Sequence, residues 1–263
     1  MVISNFHPQH PLDALFRECY YIHIAERPGR IPIIDDCCYD FVFFKEAEGL
    51  FYHGPDQHVQ PIESGIFTIH QLHPPYRIEA TNSLTFFTIK VQPWANAHFF
   101  SRVEEAGIVE VSQLQSGLML FYENIFRAKA EERFEMAEAF MRNVLVQLTP
   151  SMELVRTICE NIYEKRGMVT VNELSDQFQR SRQYLGKIFK KEVMYSLKKF
   201  IITVRILDLV KYRAKHAEVS LTELSYDYGY FDQPHFINDF KKVCGVAPLE
   251  FFNNLPEFLL RHQ

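Results

Sequence analysis

The sequence predicts an α+β chain. An antiparallel β-rich half, a barrel or sandwich with a helical tail, is followed by an all-α half of two helix-turn-helix units joined by a long helix. Three observations carry this. Short aromatic and β-branched runs fill the chain up to Val91, separated by Pro, Gly, Asn and Asp. After Pro93 the apolar spacing becomes helical. Two similar capping signals then recur about 50 residues apart, at Thr170 and Ser220.

The strands are Tyr20-Tyr21-Ile22-His23-Ile24, Tyr39 to Phe44, Leu50-Phe51-Tyr52, Gly65 to Ile69 and Leu84 to Val91, with turns at Pro28-Gly29, Gly54-Pro55, Pro74-Pro75 and Asn82-Ser83. Leu114, Leu118, Phe121 and Ile125, then Phe134, Ala137, Met141, Val144 and Leu148, predict two amphipathic helices over 112–128 and 131–148. Thr149-Pro150-Ser151 breaks the second, because proline cannot continue the ladder. This sets the expected boundary between a domain at 1–150 and another at 151–263. Helices are expected over 151–165, 171–178, 181–192, 196–216, 220–228 and 232–243, with a short last pair after Pro248.

With 263 residues, 47% of them hydrophobic, the chain can bury full cores, which excludes disorder for most of it. Cys19, Cys37, Cys38, Cys159 and Cys244 are an odd set without a CxxC pair. That argues against a disulfide scaffold or zinc ribbon and for a reducing, cytoplasmic location. No apolar run approaches the roughly 18 residues of a membrane span, so no membrane partner is expected. The net charge of −5 divides into −8 for residues 1–150 and +3 for residues 151–263. Only the second half is suited to a polyanion.

Each capping box, Thr170-Val171-Asn172-Glu173 and Ser220-Leu221-Thr222-Glu223, opens a short helix, and each helix leads through a sharp turn into another. The first turn is Gln179-Arg180 before Ser181, and the second is Gly229-Tyr230-Phe231 before Asp232. Between the units, Leu197, Phe200, Ile201, Val204, Leu207, Leu209 and Val210 stripe a helix long enough, at roughly 30 Å, to set two recognition helices into successive major grooves.

From about Thr170 to Phe252 these residues resemble the AraC/XylS transcription regulators. The matching stretches are Glu173-Leu174-Ser175, Ser181 to Glu192, Val204-Arg205, Leu224 to Tyr230, and Asp232 to Pro248 with its Phe240-Lys241-Lys242 and Gly245-Val246-Ala247-Pro248. Departures are Gln179-Arg180 and Met194 where the family favours glycine, and Phe252 in place of a terminal arginine. The resemblance implies a sequence-specific DNA-binding regulator of transcription with an N-terminal sensor. Ile31 to Asp36, Tyr39 to Phe44 and Ile89 to Pro93 resemble that sensor too, without naming its ligand.

On the first recognition helix, Arg182, Gln183, Gly186 and Lys187 share one side and are expected to contact bases. Arginine and lysine reach guanine, glutamine pairs with adenine, and glycine permits close approach. The second helix offers Gln233, Pro234, His235 and Asn238, a poorer reading set without arginine. Ser181, Lys190, Lys191, Lys198, Lys199, Arg205, Lys241 and Lys242 are expected on phosphates.

His53, His58, His70 and His73 suggest a metal-dependent cupin-like enzyme as the alternative. However, no HxH pair with a following carboxylate occurs, and Cys37-Cys38 in a strand would point to opposite faces. No cofactor, metal or catalytic residue is therefore expected. A second alternative is a protein–protein adaptor with weakened DNA affinity. Expected partners are double-stranded DNA, RNA polymerase, a small-molecule effector among the aromatic strands, and a second copy through the stripe from Leu114 to Ile125.

Overall fold

The structure, a computed structural model, describes residues 1–26, 29–46, 48–54, 59–71 and 76–253. The turns expected at Pro28, Pro55 and Pro74-Pro75, the histidines His58 and His73, and any helix after residue 253 lie outside the described residues.

Strands β1 (Val2–Phe6), β2 (Phe16–Ile24), β4 (Asp40–Phe44), β7 (Ile66–His70), β9 (Leu84–Val91) and β10 (Gly107–Glu110) form one antiparallel sheet in the order β1-β2-β9-β4-β7-β10. A second sheet has the order β3-β8-β5-β6, from Gly29–Ile33, Tyr76–Ala80, Leu50–His53 and Val59–Pro61. Sequence periodicity misses β1, β10, β3 and β6, which are the four edges. Edge strands are paired on one side only and tolerate what central strands exclude, here Ser4-Asn5 in β1, Pro32 in β3 and Pro61 in β6. Strand β8 is also missed, although Tyr76-Arg77-Ile78-Glu79-Ala80 alternates apolar and charged residues with the strand period of two.

The continuous apolar run of β4 has a simple cause. Phe41 and Phe43 join a core shared with the helices, whereas Val42 and Phe44 join Leu50, Tyr52, Phe67, Ile78 and Leu84 between the two sheets. Both faces are covered, so period-two alternation disappears. Cys37 and Cys38 do not belong to a strand: both are buried just before β4, and Cys37 is left-handed at φ +61°.

The boundaries of α2, α3 and α4 also differ from expectation. Instead of 112–128, α2 is Leu118–Ile125, after the short α1 at Asn96–Phe100. Gly117 sits at φ +88° and stops α2 from extending backwards. Instead of 131–148, α3 is Ala130–Asn143, ending where β-branched Val144 leaves the helical region. Pro150 terminates nothing: it is the first residue of α4 (Pro150–Glu164), capped by the Thr149 hydroxyl.

The C-terminal helices are α5 (Val171–Phe178), α6 (Arg182–Val193), α7 (Leu197–Lys215), α8 (Leu221–Asp227), α9 (Gln233–Cys244) and α10 (Pro248–Asn253). The core beneath the large sheet runs on across residue 150 through Met152, Val155, Ile158, Leu185, Phe189 and Phe200. A separate core holds Ile206, Leu209, Leu224, Phe236, Phe240 and Phe251. Helix α7 thus supplies its first half to one core and its second half to the other.

Candidate nucleic-acid interface

The two C-terminal units repeat one construction. Thr170 and Ser220 accept the backbone N–H groups of Glu173 and Glu223 at 3.2 and 3.1 Å, and Glu173 returns a bond to the Thr170 N–H at 2.7 Å. The second helices are capped alike: Ser181 accepts from the Tyr184 N–H at 3.2 Å, and Asp232 accepts from the His235 N–H at 2.7 Å. Gln179 and Met194 take the left-handed conformation at φ +50° and +67°, so the glycine geometry persists at both family departures.

A further repeat escaped the sequence reading. In each unit the first residue of the second helix is tied to the second residue of the first helix. Arg182 donates to Asn172 Oδ1 at 3.2 Å, and Gln233 donates to Thr222 Oγ1 at 2.6 Å. The signal was available, since Asn172 and Thr222 both lie two places after their caps. These ties hold the N-terminal ends of α6 and α9 beside the starts of α5 and α8.

Arg182, Gln183 and Lys187 are exposed on α6, while Leu185 and Phe189 are fully buried. Gly186 is half-buried, and a Cβ there would meet nothing within 4 Å. On α9, Gln233, Pro234, His235 and Asn238 are exposed, and Phe236 and Phe240 are inside. Ser181, Lys190, Lys191, Lys198, Lys241 and Lys242 are exposed. Asp239, buried on α9, holds Lys242 at 2.9 Å and lies 3.4 Å from the His235 imidazole. Two expected phosphate contacts are spent elsewhere. Lys199 pairs with Asp35 at 2.8 Å, above the Tyr195 ring, and Arg205 donates to the Gly167 carbonyl at 2.9 Å beside the Tyr230 ring. Sequence spacing along α7 could not show that the sheet half and the α4–α5 turn would claim them.

Lys199 belongs to a seam between the halves. Buried Asn96 accepts from the Tyr39 N–H at 3.1 Å and donates to the carbonyls of Cys37 and Val193, both at 2.9 Å. Arg17 donates to the Tyr163 hydroxyl at 2.7 Å, and Lys90 bonds Asp36 at 2.7 Å. Burial alone would raise the Asp36 carboxyl, but the Lys90 ammonium and the Arg17 guanidinium outweigh it and hold it below the usual range. A cavity of about 170 Å³ opens here, lined by Arg17, Asp36 and Lys90 on the sheet side and Leu207, Asp208 and Lys211 on α7. Burial pushes the Cys38 thiol up to about 12, so it is no nucleophile near neutrality.

Among the described residues no group of three or more His, Cys, Asp or Glu side chains is placed to hold a metal ion. His53 faces Glu79 at 2.8 Å, and buried His70 bonds the Glu105 carbonyl at 2.7 Å. Among the described residues no helix is long and apolar enough to cross a membrane.

Two capped helix-turn-helix units on one connecting helix define a class, the double helix-turn-helix domains. Residues 174–254 match the family described as "Helix-turn-helix domain". The chain is 33% identical over 81 residues to the Msm operon regulatory protein of Streptococcus mutans, covering 31% of this chain and 29% of that protein. It is 25% identical over 175 residues to the uncharacterized HTH-type transcriptional regulator YtdP of Bacillus subtilis, covering 62% and 22%. The chain therefore spans less than a third of the length of either relative. Among solved structures it is similar to ToxT from Vibrio cholerae, with a TM-score of 0.47 and 13% identity over 94% of this chain and 99% of that one. Residues 174–254, in the C-terminal part of this chain, are a helix-turn-helix domain.

Proposed function

We propose that this protein is a cytoplasmic, sequence-specific DNA-binding regulator of transcription, not an enzyme, and that α6 and α9 enter successive major grooves. The repeated tie, Arg182 to Asn172 and Gln233 to Thr222, carries the reading, because it fixes the first side chain of each presented helix. At about 1.5 Å per residue, the 19 residues of α7 span roughly 28 Å, close to the 34 Å of one duplex turn.

Arg182, Gln183, Gly186, Lys187, Gln233, Pro234, His235 and Asn238 read bases in this account. Ser181, Lys190, Lys191, Lys198, Lys241 and Lys242 meet phosphates. A salt titration of the full chain on its preferred duplex tests it: affinity should fall linearly on logarithmic axes, because phosphate contacts release counterions. Arg182→Ala or Lys187→Ala should cost about 1–3 kcal/mol on that duplex and blur its preference, whereas Lys241→Ala should weaken all sequences alike. Salt-independent binding, or equal losses on specific and random DNA for all three variants, contradicts it.

Gly186 sharpens the test. A mid-helix glycine costs about 1 kcal/mol relative to alanine, and no internal neighbour requires it here. Gly186→Ala should therefore stabilise the fold by about 0.5–1 kcal/mol while lowering operator affinity, as measured by denaturation and DNA titration on one preparation. A variant that is more stable and binds DNA equally well removes Gly186 from the interface.

We place the effector in the cavity at the seam and not among the strands, where the space between the sheets is packed with Phe44, Phe67 and Phe86. A ligand there touches both halves, so it can favour one relative placement over another. Any hit from a metabolite screen must change operator affinity by the same factor as the operator changes its affinity. A hit whose binding and effect on operator affinity survive Asp208→Ala and Lys211→Ala, on the cavity wall, overturns the placement. A second copy of the chain and RNA polymerase complete the partners of this reading.

A further inference from the structure

The tip of the second unit carries a side chain that the fold does not use. Phe231 is 91% exposed, yet the backbone around it is fixed. Gly229 stands at φ +73°, the Tyr230 N–H bonds the Ser225 carbonyl at 2.9 Å, and Asp232 caps α9. Phe231 occupies the position before the cap, where an apolar residue commonly packs on the fourth residue of the helix. That partner, Phe236, is instead 3% exposed against Tyr230 and Phe240, at ring separations of 5.4 and 5.7 Å. The phenyl ring is thus held outward at the N-terminus of α9, beside exposed Gln233, Pro234 and His235.

Its chemistry selects an occupant. From Phe231 to Asn238 there is no lysine or arginine, whereas the matching position of the first unit is exposed Arg180. Besides the Asp232 carboxylate, which caps α9, the tip offers an amide, an imidazole and hydrocarbon. The hydrocarbon feature on the major-groove edge of a base pair is the thymine methyl. Residues at the start of a recognition helix are the ones that meet base edges. We infer that Phe231 packs on a thymine methyl in the second half-site and sets part of the sequence preference of α9. The inference rests on the DNA-binding reading above and adds a specificity residue to it.

The test uses a duplex that the full-length chain enriches from a random library, with each thymine replaced in turn by deoxyuridine, which keeps the hydrogen-bonding edge and lacks the methyl. The wild-type chain should lose about 3- to 10-fold in affinity at one or two positions of the second half-site, the worth of one or two apolar groups. Phe231→Ala should lose a similar factor on the thymine duplex and become indifferent to those methyls. Its thermal midpoint should not move, because the side chain is almost wholly in solvent.

If the wild type binds the enriched duplex but responds to no deoxyuridine, or if Phe231→Ala keeps the methyl dependence, the inference fails and the DNA-binding reading stands. Unchanged DNA affinity of Phe231→Ala with lost transcription in a reconstituted assay also overturns it, assigning the ring to polymerase. If no duplex is enriched, the DNA-binding reading fails first.

Discussion

Asp36→Ala is expected to destabilise the full chain by about 1.5–3 kcal/mol, read from chemical denaturation, because it removes the nearer of the two carboxylates that hold buried Lys90. Lys90 has 8% of its side chain exposed, bonds Asp36 at 2.7 Å and lies 3.6 Å from Asp40. Burial pulls its ammonium down, but Asp36 and Asp40 outweigh this and hold it well above the ordinary lysine value. Replacing the pair together, Asp36→Leu with Lys90→Met, should recover only part of the loss, since Asp40 then loses the Lys90 ammonium. The signs give the pH dependence. The folded Asp36 value is lowered, so its contribution is present above the ordinary carboxyl value and is lost as pH falls through the folded one. The folded Lys90 value is raised, so its contribution is whole below the ordinary lysine value and is lost only as pH rises through the folded one. Stability from this pair should hold between about pH 4 and about pH 10, and Asp36→Ala should flatten the acid arm. A single-variant loss under about 1 kcal/mol contradicts the assignment.

Gly167→Ala should cost about 2–5 kcal/mol, combining a left-handed backbone with overpacking. Gly167 stands at φ +69°, and an added Cβ would lie 2.5 Å from the Arg205 backbone nitrogen and 2.6 Å from the Ile201 carbonyl oxygen. Neither is the movable end of a side chain. The turn after α4 must lift from α7, taking with it the bond from Arg205 to the Gly167 carbonyl. Both helices feed the shared core, so thermal unfolding should report the loss directly. The opposite sign expected for Gly186→Ala, where a Cβ meets open space, makes the two glycines mutual controls. Equal small effects at both would show that packing around the α4–α5 turn is looser than described.

The C-terminal architecture was legible because its signals are local. Capping boxes, turn residues and an apolar stripe each act within about one or two helical turns, and the helices over 171–243 begin and end within two residues of expectation. The sheet half was read through its central strands only. Edge strands such as Val2–Phe6 and Val59–Pro61 owe their form to a neighbour distant in sequence, which periodicity does not report. The same limit governed the site. Exposure of Arg182, Gln183 and Lys187 follows from helix phase, but the capture of Lys199 by Asp35 joins residues 164 positions apart. Phe231 was visible in the sequence as part of a turn. That it projects into solvent depends on Tyr230 taking its place against Phe236.

The central claim, two recognition helices in successive major grooves of one face, is tested most directly by mapping the major-groove N7 atoms that the full-length chain covers on its enriched duplex, guanine by methylation protection and adenine by 7-deazaadenine substitution. The account predicts two protected windows about 10 base pairs apart, with Arg182→Ala erasing contacts in one and Gln233→Ala in the other. A single window insensitive to Gln233→Ala, or protection that does not follow the major groove, would contradict it.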